Sequence, residues 1–217
     1  MKGQDILLLL KLISLQHHEK QLNGLEHLTT QSKAWQDWDI TEEKKLEQKK
    51  TLAFIEIDTY RESLYTVRAL EKTTGIGKTQ IADSIKRCID IGLAKKDRKY
   101  NVPRTNRKSL LEFIIYGIKY VFPVRMGELT RGIATSFSAP VLNEKLFSSG
   151  DLIAVWPDET AKNKGLKVIP LFHTVPYAVR QDDNLYAMLA LVDAIRLGNP
   201  REASLAADLL EKIFKEI

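Results

Sequence analysis

Residues 63–102 read SLYTVRALEKTTGIGKTQIADSIKRCIDIGLAKKDRKYNV, and this stretch decides the fold. Leu64, Val67 and Leu70 fall three apart on one helical face, and Gly75 supplies a C-terminal stop, so a short helix is expected to end there. Gly75, Ile76 and Gly77 leave room for a three-residue turn. A second helix follows, with Ile81, Ile85 and Ile89 as its expected buried stripe, and it runs to Gly92 and Leu93. Ala94 to Val102 is too charged for a core strand but carries the turn-former Asp97 midway, which predicts a small exposed hairpin. Helix, short turn, helix and basic ribbon is the pattern of a winged helix-turn-helix.

Charge singles out the same segment. Residues 61–108 hold 13 of the 33 Lys and Arg residues against five acidic ones, a net +8, whereas 1–60 carry −2 and 109–217 carry −1. A basic block between near-neutral flanks implies a localised anion-binding face, and nucleic acid is the expected polyanion. With 217 residues, 44% of them apolar, the chain can bury a core as one large domain or two small ones. One cysteine, Cys88, excludes an internal disulfide framework and suits a reducing compartment. The apolar run Ile6 to Leu10 is followed by Lys11 and is far short of the roughly 20 residues of a membrane span, so no membrane partner is expected. No signal peptide is expected either, for want of a small-residue cleavage site.

Working outward, Asp5 to Leu15 is apolar on nearly every face and predicts a buried helix. Gln16 to Asp39 turns polar and contains His17, His18, Trp35 and Trp38. An insertion is expected there, extending to about residue 60 and including a helix from about Thr41 to Ile57 that starts at the Asp39/Glu42 pair. C-terminal to the hairpin, a helix capped by Asn106 is expected to run through Leu110, Ile114 and Ile118 to Pro123. Five of the seven prolines lie in 123–180, so short strands and ordered loops are expected, with strands at Leu152–Trp156 and Leu166–Phe172. Two helices, Asp183–Leu197 and Pro200–Lys215, close the chain, the second capped by Asn199. The expected fold class is α+β, mainly helical. A winged helix-turn-helix unit would occupy 1–105, with its insertion at about 16–60. A linking helix and a smaller mixed unit for dimerisation or sensing would occupy 106–217.

In such a unit the second helix lies in the major groove and its first turns meet base edges. The candidate contacts are Lys78, Thr79, Gln80, Asp83, Lys86 and Arg87. Gln80 can pair two-pronged with adenine, and Lys86 and Arg87 are expected to grip phosphate. Lys95, Lys96, Arg98 and Lys99 on the hairpin would reach the sugar-phosphate backbone.

Other chemistry is weakly supported. Lys72 to Thr79 ends in Gly-Lys-Thr like a phosphate-binding loop, but Lys72 stands where that motif needs its first glycine and no buried strand precedes it. His17 and His18 point to different helix faces, His173 has no evident partner, and Asp182 and Asp183 read as a helix start. Cys88 is expected inside, which disfavours a redox role. No metal, cofactor or catalytic group is therefore expected, and the chain is read as a non-enzyme.

The run Gly75 to Arg87, followed by Ile91-Gly92-Leu93, resembles the winged helix-turn-helix of bacterial MarR-like transcriptional regulators. Lys2 to Asp5, Thr130-Arg131-Gly132 and Ser138-Ala139-Pro140 are similar to a group of bacterial helix-turn-helix proteins whose C-terminal half is uncharacterised. The resemblance implies a cytoplasmic, nucleoid-associated repressor that binds double-stranded DNA as a homodimer, through contacts in Leu110–Phe122 and the last two helices. A small-molecule or protein effector would act at the C-terminal half, where Phe137, Trp156, Phe172 and Tyr177 form either a pocket or a small core. The competing reading is a protein-interaction module of antitoxin or adaptor type; a nucleotide-binding enzyme is a third.

Overall fold

The computed structural model describes residues 1–31, 59–143 and 153–216. It is a mixed α+β fold, mainly helical, with two small sheets. Helix α1 (Gly3–Gln31) runs far beyond the expected end at Leu15, so the expected insertion does not begin at Gln16. Its second half contains good helix formers (Glu19, Lys20, Gln21, Leu22, Leu25) and no proline, and the single Gly24 costs only about 1 kcal/mol. The expected Thr41–Ile57 helix and the Trp35/Trp38 pair lie outside the described residues.

Residues 59–64 are helical, and then come α2 (Val67–Thr74) and α3 (Lys78–Asp90), joined by a three-residue turn. Thr66 caps α2 by accepting from the Ala69 N–H. Gly75 closes it in the left-handed conformation, φ 70°, where a Cβ would also sit 3.1 Å from both Thr174 and Tyr177. A hairpin follows, β1 (Ala94–Lys96) antiparallel to β2 (Pro103–Thr105). The turn is longer than expected and moves the return strand past Val102. Asp97 is the reason, because its Oδ1 accepts from the N–H groups of Lys99 and Tyr100 and organises a six-residue loop.

The helix expected from Asn106 to Pro123 is broken in two at Gly117, giving α4 (Arg107–Tyr116) and α5 (Ile118–Val121). Leu110, Ile114 and Ile118 are buried in the core. A strand not expected from the sequence, β3 (Leu129–Ala134), pairs antiparallel with both β4 (Ile153–Pro157) and β5 (Asn163–Lys167), while β4 and β5 pair in parallel and close the sheet on itself. Gly132 permits the closure, since a Cβ there would lie 2.0 Å from the Trp156 carbonyl oxygen. β5 ends before the expected Leu166–Phe172 span is complete, and Pro170 has no N–H to extend the ladder. A 3₁₀ turn (Ser136–Ser138), α6 (Pro140–Asn143) and α7 (Val175–Val179) connect the sheet to α8 (Asp183–Leu197) and α9 (Pro200–Glu216). Both closing helices stand where the sequence placed them.

Two helices form the centre. In α1 every residue from Gln4 to Leu15 is buried, and in α8 every residue from Met188 to Arg196 is. Each fully buried leucine contributes roughly 1.5–3 kcal/mol relative to exposure. Burial on all sides also encloses polar groups, and those have partners. Lys11 meets Asp182 at 2.8 Å, and Ser14 donates to the same carboxylate at 2.7 Å, which ties α1 to the start of α8. Asp193 accepts from Trp156 Nε1 at 2.6 Å, Thr135 Oγ1 at 3.2 Å and Arg196 Nη1 at 2.5 Å. Complete burial pushes the Asp193 carboxyl above the usual carboxylate range, against the pull of Arg196. Contacts cross the expected 105/106 boundary: the Lys11–Asp182 pair joins α1 to the start of α8, and the Tyr177 hydroxyl donates to the Lys72 carbonyl at 2.8 Å.

Candidate nucleic-acid interface

Helix α3 is held from behind by α1. Gln4 Nε2 donates to Ser84 Oγ at 3.0 Å, and Ile81, Ser84 and Cys88 are the fully buried positions of the helix. Ile85 and Ile89 are only half-buried, so the inward face is rotated by about 60° from the expected Ile81/Ile85/Ile89 stripe. This rotation decides which candidate residues face outward.

Lys78, Thr79, Gln80, Asp83 and Lys86 are all exposed. The first three form the opening turn of the helix, and Thr79, Asp83 and Lys86 follow at three- and four-residue intervals along the outer face. Lys78 lies 3.6 Å from Glu71, an exposed pair worth little in water.

Arg87 does not share that face. Its Nη2 lies 2.7 Å from Asp5 Oδ1 and donates to Ser84 Oγ, and its Nε donates to Asp5 Oδ2. Burial opposes ionisation of Asp5, yet hydrogen bonds from Arg87, Ser84 and the Lys2 backbone outweigh it and hold the carboxyl below its usual range. The same Asp5 hydrogen bond raises the Arg87 pKa. Arg87 is thus a positioning residue that fixes the rotation of α3 on α1. Beside it, burial pushes the Cys88 thiol up to about 12, so at neutral pH it is a packed apolar group.

On the hairpin, Lys95, Lys96, Arg98 and Lys99 are exposed. Lys95 and Lys96 occupy consecutive strand positions and so point to opposite faces. Lys99 Nζ lies 4.5 Å from the Tyr100 ring centroid and 2.5 Å from its hydroxyl. What anchors this hairpin is not visible in the local sequence pattern. Arg104 on β2 meets Glu19 of α1 at 2.9 Å, Asp97 of the loop at 3.4 Å and the Tyr65 hydroxyl at 2.5 Å. Burial raises the Tyr65 pKa well beyond its usual value. Of the 13 basic residues of the segment, Arg104 is therefore one that faces inward.

Other candidates are placed as follows. Lys72 to Thr79 joins two helices rather than following a strand, which is the wrong frame for a phosphate-binding loop. Trp156 is buried, Phe137 and Phe172 pack against the core, and Tyr177 is exposed with its hydroxyl donating to the Lys72 carbonyl. His173 lies against Phe172, and His17 Nδ1 is 3.1 Å from Asn184 Nδ2. Among the described residues no group of three His, Cys, Asp or Glu side chains could hold a metal ion, and no helix is long and apolar enough to cross a membrane. Set against protein-family models, curated proteins and solved structures, the chain matches none.

Proposed function

We propose that residues 67–105 form a winged helix-turn-helix and that the chain is a transcriptional regulator reading duplex DNA. The observation that carries this reading is the outward set on α3, Lys78, Thr79, Gln80, Asp83 and Lys86, beside a hairpin with four exposed basic residues. A helix that enters a groove needs base-reading groups in its first turns and phosphate-binding charge nearby. Gln80 is the base reader by this reading, Lys86 and the hairpin cations bind phosphate, and Arg87 orients the helix without touching DNA.

Regulators of this kind bind symmetric sites as dimers. Much of the apolar surface of α4 and α5 is buried within one chain, which leaves Tyr116, Tyr120 and Val121, respectively 75%, 77% and 49% exposed, as the proposed seam between copies. The test is fluorescence-anisotropy titration of genomic duplex fragments over a salt series. Binding that steepens as salt falls, prefers certain fragments and loses that preference in Gln80→Ala supports the reading. No duplex binding even at low salt overturns it and leaves a protein partner as the ligand class.

A further inference from the structure

On the antiparallel ladder of β3 and β5, Arg131 stands directly opposite Lys164. Directly opposed residues share one face with Cβ atoms about 5 Å apart, and like charges so placed repel. Both side chains are exposed, and neither has an acidic partner within ion-pair distance among the described residues. Cations that the fold takes out of water are closely paired: Lys11 with Asp182, Arg104 with Glu19, Arg196 with Asp193. An unrelieved cation pair on a short, closed sheet is a site that an anion would stabilise.

Its position points to the anion's source. Arg131 lines a cleft of about 870 Å³ together with Thr130, His173, Tyr177 and Arg180. Across the cleft Arg180 is already neutralised by Asp158 at 2.7 Å, and Glu159 is the remaining acid. The wall formed by Tyr177 abuts the α2–α3 turn: its hydroxyl donates to the Lys72 carbonyl at 2.8 Å, and its ring lies against Gly75. The cleft thus opens beside the turn that presents Lys78 and Thr79.

We infer that Arg131 and Lys164 form a second phosphate-binding strip, on which the backbone of the same duplex rests after leaving α3. This inference rests on the DNA-binding reading. It makes the sheet of the C-terminal half a sequence-independent clamp, since contacts to phosphate position the duplex without reading it.

The test uses the full chain, a mixed-sequence duplex long enough to span both surfaces, and the double variant Arg131→Gln/Lys164→Gln. Loss of two phosphate contacts should lower the slope of log affinity against log salt by up to about two and weaken binding on the order of tenfold at about 0.1 M salt. The loss should be equal for preferred and mixed sequences. Thermal stability should not fall, because a repulsion is removed, and the charge-preserving Arg131→Lys/Lys164→Arg should bind like wild type. An unchanged slope and affinity in the Gln variant, with Lys86→Gln still reducing both, overturns the strip and leaves the DNA-binding reading intact. Wild-type protein that shows no salt-dependent duplex binding overturns both.

Discussion

The inward and outward sides of α3 carry adjacent cations with opposite fates. Lys86 lies on the exposed face with no ion-pair partner among the described residues, while Arg87, its neighbour, is locked to the buried Asp5 of α1. The same contrast separates the α2–α3 segment from the α8 core, where Arg196 and Asp193 pair out of reach of water. A count of basic residues therefore overstates a binding surface, and the location of each acid decides which cations remain available.

The contrast is broken most severely at the core. Asp193→Ala would strand Arg196 and leave the Trp156 and Thr135 donors unpaired. Removing one partner of a buried ion pair costs about 3–5 kcal/mol, so urea denaturation should show a large fall in the midpoint, with DNA affinity lost only as the protein unfolds.

Acid should reach the α1–α3 clamp next. The folded-state pKa of Asp5 is lowered, so its contribution is present above the ordinary carboxylate pKa and is lost as pH falls through the lower folded value. Asp5→Asn should lower stability at neutral pH and make the acid limb of the stability profile shallower than in wild type. An equally steep limb in the variant would assign acid unfolding to other carboxylates.

A smaller effect is expected at the turn. Gly75→Ala places a Cβ in a left-handed residue 3.1 Å from Thr174 and Tyr177, at a cost of about 1–2 kcal/mol for the backbone conformation alone. The thermal midpoint should drop by several degrees. A neutral outcome would show that the α2–α3 turn adapts and that α7 does not brace it.

Much of the helical frame was legible from local pattern. The apolar spacing from Val67 to Ile89 marks α2 and α3, although Leu64, grouped with Val67 and Leu70 by that spacing, falls in the helical stretch 59–64 before the Thr66 cap. Gly75 marks the turn, and Asp182 and Asn199 act at the starts of the last two helices as expected, accepting from Leu185 N–H and from Arg201 and Glu202 N–H. What escaped detection depends on distant partners. The rotation of α3 is set by Gln4 and Asp5, some eighty residues away in sequence, so three isoleucines at a regular interval pointed to the wrong stripe. β3 reads Leu-Thr-Arg-Gly-Ile-Ala, whose charge and glycine hide a strand that exists because two others close around it. Arg104 entered the sequence reading only as one of the 13 basic residues of 61–108, and its inward role depends on Glu19 and Tyr65, which the fold brings to it.

The central claim, that the outer face of α3 meets DNA while its inner face only holds the helix in place, is tested most directly by comparing two neighbouring residues. Lys86→Gln and Arg87→Gln would each be titrated with duplex DNA across a salt series, with stability measured in parallel. The expected result is a salt slope reduced by about one for Lys86→Gln at unchanged stability, and a wild-type slope with reduced stability for Arg87→Gln. The reverse assignment, or identical slopes in both variants and wild type, would contradict it.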